Sequence, residues 1–170
     1  MQRKMILAMD LDGCIGKNDG LPWRLRADML RFKRLTVGEG NNAVLMGRTT
    51  WESLPEAYRP LDERLNIIVT RNEEYTVEGA HTFSSIEKGL NLAEENSSDI
   101  CWIIGGANVY EQCRDVVDEI HLTMVETNQS GDVRVKLFTE ENWDHEVVET
   151  VPADEKNEHD TTYLILRRRS

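Results

Sequence analysis

The chain has little of what marks a secreted, membrane-bound or metal-held protein. Cysteine occurs three times in 170 residues, at positions 14, 101 and 113, and never as C-x-x-C. So scattered and odd a set argues against a disulfide framework or a zinc site, and predicts free thiols in a reducing compartment. The four histidines (81, 121, 145 and 159) show no ligand spacing, so no metal is expected. No apolar run approaches the roughly 20 residues that a membrane-crossing helix needs. Met5–Met9 is too short for a signal-peptide core and runs into Asp10 and Asp12. A soluble, cytoplasmic protein is expected. No Gly/Ser/Pro linker, repeat or low-complexity tract divides the chain, which predicts a single domain over 1–170. Positive charge is also short: 20 Lys and Arg against 31 Asp and Glu leave a net charge of −11. The resulting field repels phosphate, which argues against nucleic acid or an anionic membrane as partner. A local basic site for a small anion remains open.

What is present alternates. Strand-like runs at Lys4–Met9, Ala43–Met46, Asn66–Thr70 and Ile100–Ile104 are separated by helix-like stretches at Leu25–Leu35, Thr49–Leu54, a segment through Glu95 and Asn108–Arg114. Ser84-x-x-Glu87 reads as a capping box opening the third of these helices. Continuous apolar strands between helices predict an α/β fold with a mostly parallel sheet covered on both faces. The last third, with strands at Glu119–Val125, Asp144–Val151 and Thr162–Leu166 and no helix between them, predicts an antiparallel end to that sheet. The acidic 140–160 stretch reads as a solvated face.

One carboxylate lies on the wrong side of its helix. The apolar stripe Leu25, Phe32, Leu35 contains Asp28, while Arg24, Arg31 and Arg34 fall mostly elsewhere. Burying a carboxylate there costs several kcal/mol, by order of magnitude, unless it is paired. Two readings stand side by side. Asp28 is either a wet first-turn residue favouring the helix dipole, or a buried anion facing two parallel N–H donors of a planar nitrogen heterocycle, with Phe32 as an apolar wall.

Three glycine segments invite a phosphate reading. Gly38-x-Gly40-x-x-Ala43 has the dinucleotide spacing but follows a helix and enters a strand, the reverse of what that motif requires. Gly47-Arg48-Thr49-Thr50 and Ile104-Gly105-Gly106-Ala107 each lie between a strand and a helix, the context in which backbone amides hold phosphate. Each alone is equally a tight corner. Arg48 and Arg71 follow two strands that, if adjacent, would bring both guanidinium groups to one phosphate monoester and favour a 2′-phosphorylated dinucleotide.

Taken in order, these motifs resemble the dihydrofolate reductase family. They read Ile15-Gly16, Leu21-Pro22-Trp23, Ala27-Asp28 with Phe32-Lys33, and Met46-Gly47-Arg48-Thr49-Thr50-Trp51-Glu52-Ser53. Arg59-Pro60-Leu61, Arg64-x-Asn66, Ile104-Gly105-Gly106 with Val109-Tyr110, and Leu122-Thr123 with Gly131-Asp132 follow, spanning residues 4 to 138. The resemblance implies hydride transfer from NADPH to C6 of 7,8-dihydrofolate with protonation at N5 through water admitted near Leu21, in a monomeric antifolate target. It implies that Asp28 binds the pterin 2-amino group and N3, with Thr123 bonded to that carboxylate or its water. Ile6, Ala8, Phe32, Leu54 and Ile104 would line the pterin and aminobenzoyl pocket. Arg64 would clamp the glutamate α-carboxylate, helped by Lys33 and Arg59. Arg48, Thr49, Thr50, Thr70 and Arg71, after Gly47, would hold the adenosine side of the cofactor and its 2′-phosphate. Gly105, Gly106, Ala107, Asn108, Val109 and Tyr110 would hold the pyrophosphate and nicotinamide side, with a cis Gly105–Gly106 peptide. Ala8, Ile15, Gly16 and Ile104 complete the cofactor set, and Ile15 to Leu21 would form a closing loop. Asn108 stands where the family often has a basic residue, and Val133–Phe138 replaces a Thr and an early aromatic. Two rivals are the pyrimidine reductase of riboflavin synthesis, which would have no need of Asp28, Phe32 and Arg64, and a non-catalytic structural relative.

Overall fold

The uninterrupted apolar runs become the middle of a sheet buried on both sides. The computed structural model describes residues 1–16, 23–127, 133–134 and 142–170. Its elements in chain order are β1 (Gln2–Asp10), β2 (Cys14–Gly16), α1 (Arg26–Val37), β3 (Asn42–Gly47), α2 (Arg48–Ser53), a 3-10 turn (Glu56–Tyr58), β4 (Arg64–Val69), β5 (His81–Phe83), α3 (Ile86–Glu95), β6 (Ile100–Gly105), α4 (Ala107–Cys113), β7 (Glu119–Val125), β8 (Val133–Arg134), β9 (Trp143–Val151) and β10 (Thr161–Arg168). Eight strands form the main sheet in the order β5-β4-β3-β6-β1-β7-β10-β9, and β2 pairs with β8 in a small second sheet.

The pairings from β5 through β1 to β7 are parallel, and those of β10 with β7 and with β9 are antiparallel. The antiparallel end expected from the sequence is therefore present, but β7 belongs to both regimes, running with β1 on one side and against β10 on the other. Alternate residues of each central strand enter different cores. Ala43, Leu45, Ile67, Cys101 and Ile103 face α3 and α4, packing with Leu90, Ala93, Val109 and Tyr110. Val44, Met46, Ile68, Trp102 and Ile104 face the other way, against Trp51 of α2 and the half-buried Phe32 and Leu35 of α1. No described helix is long and apolar enough to cross a membrane.

Two local expectations change. The N-cap of α3 is Ser85, whose side chain accepts from the Lys88 backbone N–H, so the expected Ser84/Glu87 box is displaced by one residue. Position three of the helix is then a lysine, and the reciprocal half of a capping box is missing. On α1, Arg31 is buried while Met29 and Leu30 are exposed. A guanidinium takes the inward position because two carboxylates and an aromatic ring meet it there, as described below.

The start of α1 has no side-chain cap of its own. It is held from a distance by the segment between β9 and β10. The Lys156 carbonyl accepts from the Arg26 N–H at 3.1 Å, Asn157 Oδ1 from the Ala27 N–H at 3.0 Å, and Glu158 Oε1 from the Arg24 N–H at 2.9 Å. This satisfies the helix's orphan donors and fixes the first turn, where Asp28 sits. Glu149 and Glu158 are exposed, as expected for a solvated face, and also serve as partners of Arg31 and Arg24; most of β9 is likewise exposed.

Candidate active site

At the carboxyl ends of β1, β3, β4 and β6 lies a cavity of about 910 Å³, the place where open parallel sheets bind ligands. Its wall contains Ala8, Ile15, Gly47, Arg48, Thr49, Thr50, Thr70, Arg71, Ile104, Gly105, Gly106, Ala107, Asn108, Val109 and Tyr110. Every residue expected to face the cofactor is therefore on one wall except Gly16, which pairs with Val133 next to Ile15. The wall also contains Ser53, Val69, Ser84, Ser85, Ile86 and Gln112, which the sequence reading did not select. Nothing in their spacing distinguishes them. Ser84, Ser85 and Ile86 arrive because β5 and α3 flank β4, and Ser53, Val69 and Gln112 come from α2, β4 and α4.

Small residues keep the cavity open. A Cβ at Gly47 would meet Val109 Cγ2 at 3.2 Å, and one at Gly106 would meet Thr50 Oγ1 at 3.4 Å. The Gly105–Gly106 peptide is cis, in line with the resemblance. Tyr110 is buried beneath it and donates to the Ile6 carbonyl at 2.8 Å, tying α4 to β1. Because β3 and β4 are parallel neighbours with Gly47 opposite Val69, Arg48 and Arg71 reach the same rim. Arg48 is not idle there. Its Nε donates to Glu52 Oε1 at 2.5 Å, and its guanidinium stacks on Tyr75 at 4.1 Å. Neither contact was foreseen, although Arg48 and Glu52 have the i,i+4 spacing that makes such pairs.

Beyond Ala8 and Ile104 the second half of the site begins. In the register of β1 with β7, Ala8 lies opposite Thr123. Thr123 Oγ1 donates to Asp28 Oδ1 at 2.5 Å. Asp28 is about three-quarters buried, with 24% of its side chain exposed. Burial raises its pKa, while the Thr123 hydrogen bond and the nearby Arg31 charge oppose the rise. Of the two readings of Asp28, the wet first-turn residue is set aside. Ile6, Phe32, Leu54 and Ile104 gather in one apolar cluster beside it. Asp28 also lies near enough to Tyr110 for its charge to help raise the phenol pKa, after burial.

The residues expected at the outer end are less uniform. Lys33 is exposed and Arg59 is half-buried over Trp51. The Arg64 side chain is only 3% exposed and is braced by the Asp62 carbonyl at 2.8 Å, Asp62 Oδ1 at 3.3 Å and Thr36 Oγ1 at 3.0 Å. These contacts fix its guanidinium near the end of α1. Ile6, Asp28, Phe32, Lys33, Leu54, Arg59, Arg64 and Thr123 do not line the 910 Å³ cavity itself. Leu21 falls outside the described residues, as do 17–20 of the expected closing loop and most of the segment after 132. The described groups of His, Cys, Asp and Glu include none that could hold a metal ion.

The sequence model of the dihydrofolate reductase family matches residues 3–168. The dihydrofolate reductase of Bacillus subtilis is 33% identical over 165 residues, covering 97% of this chain and 94% of its own length. That of Haemophilus influenzae is 34% identical over 169 residues, 99% of this chain and all of its own. Among solved structures, dihydrofolate reductase from Enterococcus faecalis complexed with NADP(H) and RAB-propyl superposes with a TM-score of 0.85 at 32% identity, over 99% of this chain and 97% of that one. The two-part site and the comparisons agree, and the chain belongs to the dihydrofolate reductase family.

Proposed function

We propose that the protein reduces 7,8-dihydrofolate to 5,6,7,8-tetrahydrofolate with NADPH, working as a cytoplasmic monomer of one domain. The observation that carries this reading is the junction at Ala8: it lies on the cavity wall, and its register partner Thr123 holds Asp28. A cavity carrying Arg48 and Arg71 and a largely buried carboxylate thus meet across one pair of strands. The donor set fits the cofactor. Arg48 and Arg71 suit a 2′-phosphate, and Gly47 and Gly106 leave room that any side chain would fill. The buried thiols Cys101 and Cys113, which form no disulfide, support a reducing compartment.

NADPH, when bound, supplies the hydride for C6. Asp28 receives the pterin 2-amino group and N3 as two parallel N–H donors, which offsets its desolvation. Thr123 spends its hydroxyl on Asp28 Oδ1 and so orients the carboxylate. Phe32, Leu54 and Ile6 exclude water from the ring faces. Direct proton delivery from Asp28 to N5 is disfavoured because the two lie at different ends of the ring. Asp28 instead supports, electrostatically, a water-borne proton. Arg64, held rigid by Asp62 and Thr36, receives the glutamate carboxylate, with Lys33 and Arg59 at the periphery.

The test is the fall of NADPH absorbance on adding dihydrofolate, with NADH run alongside and with the Asp28→Asn variant. The wild type turns over and prefers NADPH. Asp28→Asn loses about a hundredfold or more at neutral pH, the scale of one oriented electrostatic group, while its NADPH affinity stays unchanged. Absent turnover with NADPH still bound would overturn the reading, and an equal loss of cofactor affinity in Asp28→Asn would move the pterin site elsewhere.

A further inference from the structure

Arg31 is a buried charge that the proposed reaction does not use. Arg31 lies one turn after Asp28 on α1, with its side chain 5% exposed. Its Nη1 is 3.5 Å from Asp28 Oδ1, and its Nη2 donates to Glu149 Oε2 on β9 at 2.8 Å. Its guanidinium carbon sits 4.3 Å from the centre of the Tyr163 ring on β10. The buried Arg31 Nε has no hydrogen-bond partner among the described residues. Among those residues, a guanidinium so far from water is held by its two carboxylates and the ring face.

We infer that Arg31 is a positioning residue for Asp28, a cation shared between Asp28 and Glu149 and braced on Tyr163, which sets how Asp28 is oriented and ionised when substrate arrives. The inference rests on the reading of Asp28 as the pterin anchor.

The geometry makes the sharing unequal. The contact to Glu149 is the shorter by 0.7 Å, so the exposed carboxylate holds the better part of the guanidinium. The brace is itself fixed, since the Tyr163 hydroxyl is tied to His121 Nδ1 at 2.5 Å. Around Asp28 the charged and polar neighbours are Arg31 from its own helix, Thr123 from β7 and Tyr110 from α4. Around Arg31 they are Asp28, Glu149 and Tyr163, with Arg34 acting on the same Tyr163 ring from the next turn. Burial raises the Asp28 pKa and Arg31 holds it down. Glu149 therefore acts in the opposite sense to Arg31, by drawing the cation away.

Two substitutions should move Asp28 in opposite directions. Arg31→Met keeps the length of the side chain and removes the charge, so the Asp28 midpoint should rise by about one pH unit, the low end for losing an adjacent arginine. Glu149→Gln leaves Arg31 with Asp28 alone, so the midpoint should fall. Glu149 is 55% exposed, so this variant keeps its fold even if Arg31→Met does not. Arg31→Lys retains a charge and should lie between wild type and Arg31→Met. The measurements are a carboxyl NMR titration of Asp28 in the ligand-free protein and the pH profile of kcat/KM for dihydrofolate. Midpoints in the order Arg31→Met, Arg31→Lys, wild type, Glu149→Gln, highest first, support the inference. Coincident midpoints, or Glu149→Gln moving with Arg31→Met, overturn it. Because the NMR titration needs no substrate, a wild-type protein that fails to turn over condemns the proposed reaction without deciding the role of Arg31.

Discussion

His121 sits at the far end of the same side-chain chain and carries a pH signature of its own. It is buried on β7, its Nδ1 is 2.5 Å from the Tyr163 hydroxyl, and its edge faces Trp102 at 4.9 Å between ring centres. The neutral tautomer that accepts from Tyr163 points its Nε2–H toward Glu119, 3.2 Å away. Burial pushes its pKa down to about 4, against the pull of Glu119, which is itself paired with Lys4. In the unfolded chain a histidine titrates near 6.5. Between about 6.5 and about 4 the unfolded state therefore holds a proton that the folded state lacks. Stability contributed by the neutral ring is full above that window and is lost as pH falls through it, up to a few kcal/mol. Urea unfolding at pH 7 and pH 5 checks this: His121→Gln should narrow the gap between the two midpoints, and an unchanged gap would place the acid sensitivity elsewhere. Legibility at this scale depended on sequence distance. Asp28 could be read because its neighbours on the apolar stripe are three and four residues away. Arg31 was placed on the wrong side because its reasons for going inward, Glu149 and Tyr163, arrive from the other end of the chain.

Among the elements, the central strands were the easiest to read. Strands β3, β4 and β6 are buried on both faces, so their apolar runs have no polar interruptions and no helical period. Strands β2 and β5 are three residues long each and carry no period at all, so hydrophobic patterning does not mark them. The α1 cap was equally hidden, since Asn157 and Glu158 reach it across 130 and 134 residues. The α3 cap was visible but ambiguous, because two serines adjoin and only one can turn its side chain to the third helical N–H. Ser85 does so, accepting from Lys88 N at 3.2 Å. Ser85→Ala should therefore cost about 1 kcal/mol of stability, and Ser84→Ala should cost little. Denaturant midpoints of the two variants separate the cases, and equal losses would return the cap to Ser84.

Across the whole molecule, a protein of net charge −11 must bind a polyanionic cofactor. Two electrostatic terms of opposite sign then act at different ranges. The overall field repels NADPH at long distance, while Arg48 and Arg71 on the cavity wall, as the proposed holders of the 2′-phosphate, would attract it at contact. Raising ionic strength from about 0.01 M to about 0.15 M shortens the Debye length from ~30 Å to ~8 Å, so the long-range repulsion is screened more completely than the contact pair. In the wild type the two terms weaken unequally and partly offset each other, so the NADPH dissociation constant should change less across that range than in a variant that keeps only the repulsion. Replacing both arginines by alanine removes the attraction and keeps the repulsion. The Arg48→Ala/Arg71→Ala double variant should bind NADPH about tenfold or more weakly at low salt, the scale of a charge-assisted hydrogen bond. Its affinity should then improve as salt is added, which is the reverse of an ordinary basic phosphate site. Cofactor-fluorescence titrations at both ionic strengths, with NADH as the control lacking the 2′-phosphate, read the sign directly. A double variant that weakens further with salt would mean that another cation holds the phosphate. Arg48 also starts from a bond to Glu52, so releasing it with Glu52→Gln should tighten NADPH and leave NADH unmoved. That asymmetry can arise only where the 2′-phosphate and the Arg48 guanidinium meet.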